Sequence, residues 1–520
     1  LEMGLISARF RICLLLLAGL TASVCMRSHL SMTVVCMVAK PSSFLSNVSS
    51  NSTHPVAYSS CPGQSGENEE DEEEAHKGEL FWPWNRVPYL FTIVLVGQVA
   101  TLIVSMRLTD AVSPKRMILA AILTQVAISF VSPLLARWSY WSFFVARLAI
   151  GMAEGFVFAP VSALASRWFP LNERATMVAL YTSAFQISFG IAPLVVSRVC
   201  TWRLFGGWPG AFYLFGLAGL LWAVEWWRVA SDWPEKSVHI GEKEREWLRE
   251  KLPPRRKEEV RVRPQYLRIL TSRVMFAHIF GMVAFYFTLG TVSSFLPIYF
   301  EERLGLPLRK NGVFTMLPFV VQIFSKNILA VVLDHLKRRG VIGHTVAGKV
   351  AQTAGCFGSG SALVGMLFLP DCANPIVTLV LLIFCCGFLS MCSVGFYSTM
   401  LHICPLITGM IAATVTTAGV ISSGVPTAIM GLAAVHPKKY EMIFGLAAIL
   451  NIVSGIVYLL WGTAEVQPWT TPVGGTEGEN EEMNGKAGKV TSPLKSIEDM
   501  ETEEAEECTV ELKIEGTCIP

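Results

Sequence analysis

Charge is what this chain has least of. Asp, Glu, Lys and Arg make up only 16% of its 520 residues, where a soluble chain carries about a quarter. That scarcity excludes an ordinary water-soluble globule. The net charge is only +2 and gives no reason to expect a nucleic-acid partner, because the Lys and Arg gather between apolar runs. The thirteen Cys show no metal-ligand spacing. No H-E-x-x-H, G-x-S-x-G or comparable nucleophile–base set occurs, so an enzyme is not expected. Hydrocarbon, by contrast, is plentiful: 52% of residues are hydrophobic and mean hydropathy is +0.48. Runs of twenty or more apolar residues recur along most of the sequence, the mark of an integral membrane protein with many spans.

The first run, Phe10 to Val38, has Arg9 and Arg11 ahead of its apolar stretch and continues past Arg27. Its opening, CLLLLAGLTASVC, resembles a signal peptide, but the whole run is too long for one and is read as an uncleaved span. Further spans are expected near 87–106, 117–136, 141–166, 175–199, 206–227, 274–299, 311–333, 346–369, 375–398, 405–432 and 441–463, twelve in all. The expected organisation is a cytosolic N-terminus (1–9), a six-helix half (10–228), a charged cytosolic linker (229–272), a second half (273–465) and an acidic, disordered cytosolic tail (466–520). Within the first half, residues 39–86 form a luminal or extracellular loop carrying the sequons Asn47-Val48-Ser49 and Asn51-Ser52-Thr53. Cys61 and Cys372 fall on that same side, which permits a disulfide between them. The basic loops SPKR (113–116), 229–272 and HLKRRG (335–340) fall on the opposite side, the cytosol by the positive-inside rule.

Charges inside the spans carry the functional argument. FFVARLAIGMAEGFVFAPVSALASRW (143–168) holds Arg147 and Glu154, seven residues apart and so on nearly one helical face. A charge at that depth costs several kcal/mol and ordinarily faces a polar cavity or a partner. Gly151 and Gly155 beside them form a G-x-x-x-G seam for close helix approach. An ion pair that only fastens two helices is the alternative. Arg27 lies well inside the first span. Lys326, inside the eighth, is expected to face the cavity as a further cation, with snorkelling to an interface as the alternative. Tyr181, Gln186 and Tyr286 line the pathway or equally make interhelical hydrogen bonds. His29, two residues from Arg27, points elsewhere and is expected to make a helix contact. LTDAVSPKR (108–116) and VLDHLKRRG (332–340) repeat an acid followed by a basic cluster in the two halves. Asp110, Arg116, Asp334 and Arg338 are therefore gating candidates; ordinary positive-inside charge is the alternative.

Twelve spans with paired D…KR loops resemble the major facilitator superfamily. Finer matches resemble its anion–cation symporter branch, which includes sialin, the vesicular glutamate transporters and the sodium–phosphate cotransporters. MRSHLSMTVVCMV (26–38), RLAIGMAEGFVFAPVSALASRWFPLNERA (147–175), SDWPEK with GEKEREWL (231–236 and 241–248), LPIYFEERLG (296–305) and QPW (467–469) follow the branch's pattern in order. The resemblance implies that Arg27 meets an anionic substrate and that Glu154 couples protons, with Arg147 a second substrate cation or the partner that keeps Glu154 ionised. Lys349 matches a basic position at the start of span nine, which a lysine snorkelling from a helix end explains equally well. Departures mark a divergent member. Ile150 and Ser162 replace polar or titratable residues of relatives. Ala284–Phe285 stand where glutamate carriers place an arginine, and Thr399 to Pro405 has lost the branch's Asn, His and Asp.

The fold class expected is therefore an all-α membrane protein of two pseudo-symmetric six-helix halves. Its expected function is secondary-active transport of organic anions by alternating access, driven by protons or membrane potential. The alternatives are sodium-coupled phosphate or urate-type cotransport and a non-transporting receptor-like relative. No cofactor is expected beyond a coupling ion, H+ or Na+. The expected partners are a small anion, that ion and the bilayer, with a monomer sufficient, in an endolysosomal, vesicular or plasma membrane.

Overall fold

The structure is a computed structural model that describes residues 7–39, 78–202, 206–251, 269, 271–369, 374–403, 408–434, 436–465 and 467. Asn47, Asn51, Cys61, Cys372 and the tail from 468 onward lie outside the described residues.

In hydrocarbon every backbone N–H must find its partner within its own segment, so the apolar runs become helices. Span one is split into Ala8–Ser28 and Leu30–Met37. The rest of the first half comprises Val87–Ala111, Pro114–Trp138, Tyr140–Trp168, a second split span of Leu171–Thr182 and Ala184–Thr201, and Trp208–Val229. The second half comprises Arg273–Leu304, Leu308–Arg338, His344–Phe368, Pro375–Ile403, Thr408–Leu432 and Lys439–Trp461. Ten of these spans are long and apolar enough to cross a membrane. Spans two and nine, at 25 residues each, pack in the same bundle. Several helices run beyond the apolar stretch into polar sequence: span eight is expected at 311–333 and ends at Arg338.

Helix ends follow local chemistry. Ser7 accepts the Phe10 N–H (3.3 Å), and Ser113 and Ser139 cap spans three and four. Span seven stops at Gly305, whose φ of 57° is left-handed and favours glycine. The small-residue seam of span four performs as expected. A methyl on Gly151 would collide with the Val94 carbonyl, and one on Gly97 of span two would lie 2.5 Å from the Leu148 oxygen. Thr101 of span two donates across the seam to the Met152 carbonyl at 2.9 Å.

Two features were not read from the sequence. Within the linker, Glu242–Lys251 is a helix whose Glu244 accepts the Ala8 N–H (2.9 Å) and Arg9 Nε (2.9 Å), capping the first span from 236 residues away. Cys36 and Cys200, which their apolar setting marks as small hydrophobes, instead form a disulfide joining spans one and five at the end opposite the basic loops.

The two halves meet mainly at that opposite end. Thr92 of span two and Thr427 of span eleven share a hydrogen bond of 2.7 Å, and the Phe91 and Phe295 rings are 5.9 Å apart. Gly312 of span eight abuts Ser197 and Pro193 of span five.

Candidate functional site

The break in span one builds the site. Its helical hydrogen bonding lapses after His29, whose N–H still reaches the Cys25 carbonyl at 3.0 Å, and resumes when Met32 and Thr33 donate to the His29 carbonyl. The Arg27 carbonyl is thereby left for another donor, and Arg147 Nη2 of span four supplies it at 2.7 Å. About two turns further along span four, Glu154 Oε2 lies 3.3 Å from Arg27 Nε. Arg27 thus bridges the two span-four charges, its backbone held by Arg147 and its guanidinium paired with Glu154. The expected face-sharing of Arg147 and Glu154 is present, but the ion-pair partner of Glu154 is Arg27.

Exposure separates the roles of the three. Arg147 and Glu154 are 1% exposed, whereas the Arg27 side chain retains 18%. Arg147 Nε and Nη1 and both Glu154 carboxylate oxygens have no hydrogen-bond partner among the described residues. Unsatisfied charged groups in a dry interior are expensive, so this cluster stores unmet hydrogen-bonding capacity beside a reachable guanidinium. Arg27 also faces the Phe189 ring of span five, 6.0 Å from its centroid.

Span five extends the site toward the basic loops. Phe189 meets Phe319 of span eight (5.5 Å), and Thr182 accepts from Lys326 Nζ at 3.3 Å. Thr182 and Phe189 are seven residues apart, about 10 Å along a helix. Lys326 and Arg27 therefore contact one face of span five at two depths. Gln186, between them, has its buried Oε1 without a partner among the described residues.

The remaining candidates are not gathered with these three charges. Tyr181 is buried (6% exposed) in the apolar core. Tyr286 packs against Gly419 of span eleven and against Phe285, a helix–helix contact. His29 behaves as expected, wedged edge-on to Phe212 at 4.5 Å. Among the gating candidates, Asp334 pairs with Lys337 on its own helix at 2.7 Å, and Arg116 is exposed at the basic-loop end. The side chains of Asp110 and Arg338 lie outside the described residues. Asp232, unremarked in sequence, accepts from Ser113 Oγ (2.5 Å) and the Lys115 N–H (2.8 Å), tying the loop after span two to the end of span six. In the second half a buried network also escaped sequence reading. His278 Nε2 contacts Thr399 Oγ1 at 3.0 Å and the Tyr458 hydroxyl at 3.3 Å, and Thr399 and Tyr458 bond each other. Thr399 opens the stretch that has lost the branch's polar motif.

Residues 83–426 match the family model of the Major Facilitator Superfamily. The chain is 30% identical over 516 residues to the uncharacterized transporter slc-17.3 of Caenorhabditis elegans, covering 95% of this chain and 93% of that one. It is 23% identical over 473 residues to a putative inorganic phosphate cotransporter of Drosophila melanogaster, 90% of this chain and 87% of that one. Its fold is similar to the crystal structure of a D-xylose–proton symporter, with a TM-score of 0.58 at 13% identity over 89% of this chain and all of that one. The chain belongs to the major facilitator superfamily, as a divergent member of its anion–cation symporter branch. It is a multi-pass membrane transporter and not an enzyme.

Proposed function

We propose that this transporter carries small organic anions by alternating access, with Arg27 as the anion anchor and Glu154 as the proton carrier. The observation that supports this reading most strongly is the 3.3 Å pairing of Arg27 with Glu154. A guanidinium in a low-dielectric site binds carboxylate or phosphate strongly, and bidentately where geometry allows. While Glu154 is ionised it competes with the substrate for Arg27. A proton on Glu154 removes that competition, so proton and anion are taken up together. Arg147 holds the Arg27 backbone in place throughout, and Lys326 offers a second cation on the path. The halves then rock about this site. Their contacts at the end away from the basic loops fit a state open toward those loops, in which the gating charges Arg116 and Asp334 do not bridge the halves.

The basic-loop end is read as cytosolic, with both termini on that side and Asn47 and Asn51 glycosylated on the other. The Cys36–Cys200 disulfide supports this orientation, because disulfides persist in oxidising compartments. The test is uptake of a panel of radiolabelled anions into proteoliposomes with pH and sodium gradients imposed independently. Wild type is expected to follow the pH gradient and Glu154→Gln to lose that dependence. Proton dependence unchanged in Glu154→Gln removes Glu154 from coupling. The phosphate cotransporter among the relatives supports a second reading, sodium-driven phosphate or urate-type movement; uptake that stops when sodium is withdrawn would favour it.

A further inference from the structure

At the basic-loop end of the first half, a cavity of about 550 Å³ opens between the loop after span two, the end of span four and the start of the linker. Five basic side chains line it, Lys115, Arg116, Arg167, Arg228 and Lys236, against one carboxylate, Asp232. That carboxylate is committed to Ser113 Oγ and the Lys115 N–H. Lys115 is partly committed as well, since its Nζ donates to the Trp227 carbonyl at 3.0 Å. The Arg167 guanidinium carbon lies over the Trp233 ring, 4.6 Å from its centroid, a cation–π contact that holds the side chain at the cavity wall. Among the described residues Arg116, Arg167, Arg228 and Lys236 form no ion pair with a carboxylate. Gathering like charges around one cavity is unfavourable unless an anion enters it.

We propose that this cavity is a binding site for a polyphosphorylated anion, distinct from the transport path. Its volume falls in the usual range for small-ligand sites, about 300–1,000 Å³. Arginine planes and lysine point charges are the groups that recognise phosphate. Its rim also argues for a lipid source. Trp227 is 62% exposed beside Leu221 and Val224 on the outer face of span six, so the cavity opens where lipid headgroups lie. Basic pockets at the cytoplasmic ends of spans bind phosphoinositide or cardiolipin headgroups. The proposal rests on the cytosolic orientation read above only for its biological source; the binding itself does not.

The test uses the purified full chain in nanodiscs. Phosphatidylinositol bisphosphate in a phosphatidylcholine bilayer is titrated in one arm, and soluble inositol trisphosphate in the other. Wild type is expected to bind bisphosphate lipid over phosphatidylcholine. The double variant R167Q/K236Q is expected to weaken binding about 25-fold, roughly fivefold for each charge removed. Arg198→Gln, at the far end of the bundle, is expected to bind as wild type. Lys236 is exposed and tolerates Lys236→Gln alone, so a fivefold loss in that single variant carries the test if the double variant fails to fold. Lipid preferred over the trisphosphate assigns a headgroup site. Equal binding of the two assigns a soluble phosphate ligand, and both results uphold the cavity. Binding no stronger than to phosphatidylcholine in both arms, or unchanged by R167Q/K236Q, overturns it. No transport is measured, so failure here leaves the anion-carrier reading standing, and failure of transport leaves this site standing.

Discussion

Arg147 Nη2 donates to the backbone carbonyl of Arg27 across 2.7 Å, so a buried cation of span four is spent on a carbonyl that the break in span one releases. Arg147→Met deletes that donor and leaves a buried carbonyl unpaired, a loss of about 1–3 kcal/mol. A lowered thermal midpoint is expected, together with loss of uptake, because Arg27 would no longer be held toward Glu154. Arg147→Lys can still donate once and is expected to recover more of the midpoint than of the uptake. A midpoint unchanged in Arg147→Met would mean that the bond does not hold the break.

Arg27 itself should divide binding from stability. With 18% of its side chain exposed, it is the most accessible member of the trio. Arg27→Lys keeps the charge but loses the planar fork, so the apparent KM for anion is expected to rise by about tenfold or more, equivalent to about 1.4 kcal/mol. Arg27→Ala leaves Glu154 without its cation in a dry interior, and uptake is expected to vanish. Concentration dependence of initial uptake rates separates the two variants from wild type.

The sequence disclosed the spans and the charges but not how the charges pair. Apolar runs bounded by basic loops have one stable outcome in a bilayer, so the helices and the two halves were legible. Arg27, Arg147 and Glu154 were legible as charges too costly to be accidental. Pairing depends on the break at His29, and neither proline nor glycine stands there to announce it. The same reason hides the break between Thr182 and Ser183 that positions the Lys326 contact. Cys36 and Cys200, like Glu244 and Ala8, meet only once distant segments have folded together.

The Cys36–Cys200 disulfide closes a stretch of chain with a sequence separation of 164. Its removal by Cys36→Ser is expected to cost about 2–5 kcal/mol, because the unfolded chain regains its loop freedom. Peptide mapping without reduction should recover the two cysteines in one fragment, and thermal unfolding of Cys36→Ser should begin at a lower temperature. Recovery of both as free thiols would disprove the bond.

A second fastening at the same end is electrostatic. Glu79 accepts from Arg137 at 2.9 and 3.1 Å and from Trp208 Nε1 at 3.0 Å. The Arg137 hydrogen bonds chiefly, with help from Trp208, hold its carboxyl below the ordinary carboxylate value of 4.5. A lowered value contributes stability that is complete above the ordinary one and fades only as pH falls through the lowered one. The difference in thermal midpoint between wild type and Glu79→Gln is therefore expected to stay constant from neutral pH down to about 5 and to shrink below that. Both partners are half-exposed, so the difference should be small and should fall with salt. A difference already shrinking between pH 7 and 6 would contradict the pairing.

Thr92 and Thr427 meet at 2.7 Å across the two halves, at the end away from the basic loops. Alternating access requires this contact to part once in every cycle. With Cys at both positions (T92C/T427C), a short bis-methanethiosulfonate, which forms a mixed disulfide with each thiol and releases sulfinate, is expected to join spans two and eleven and stop uptake. Either single variant should remain active under the same treatment. Cleaving the cross-link with reductant should restore transport, and Thr92→Cys treated in parallel reports any effect of reductant on the Cys36–Cys200 bond. Uptake that continues with the cross-link formed would show that this end stays shut throughout transport, and the rocking of the two halves would have to be abandoned.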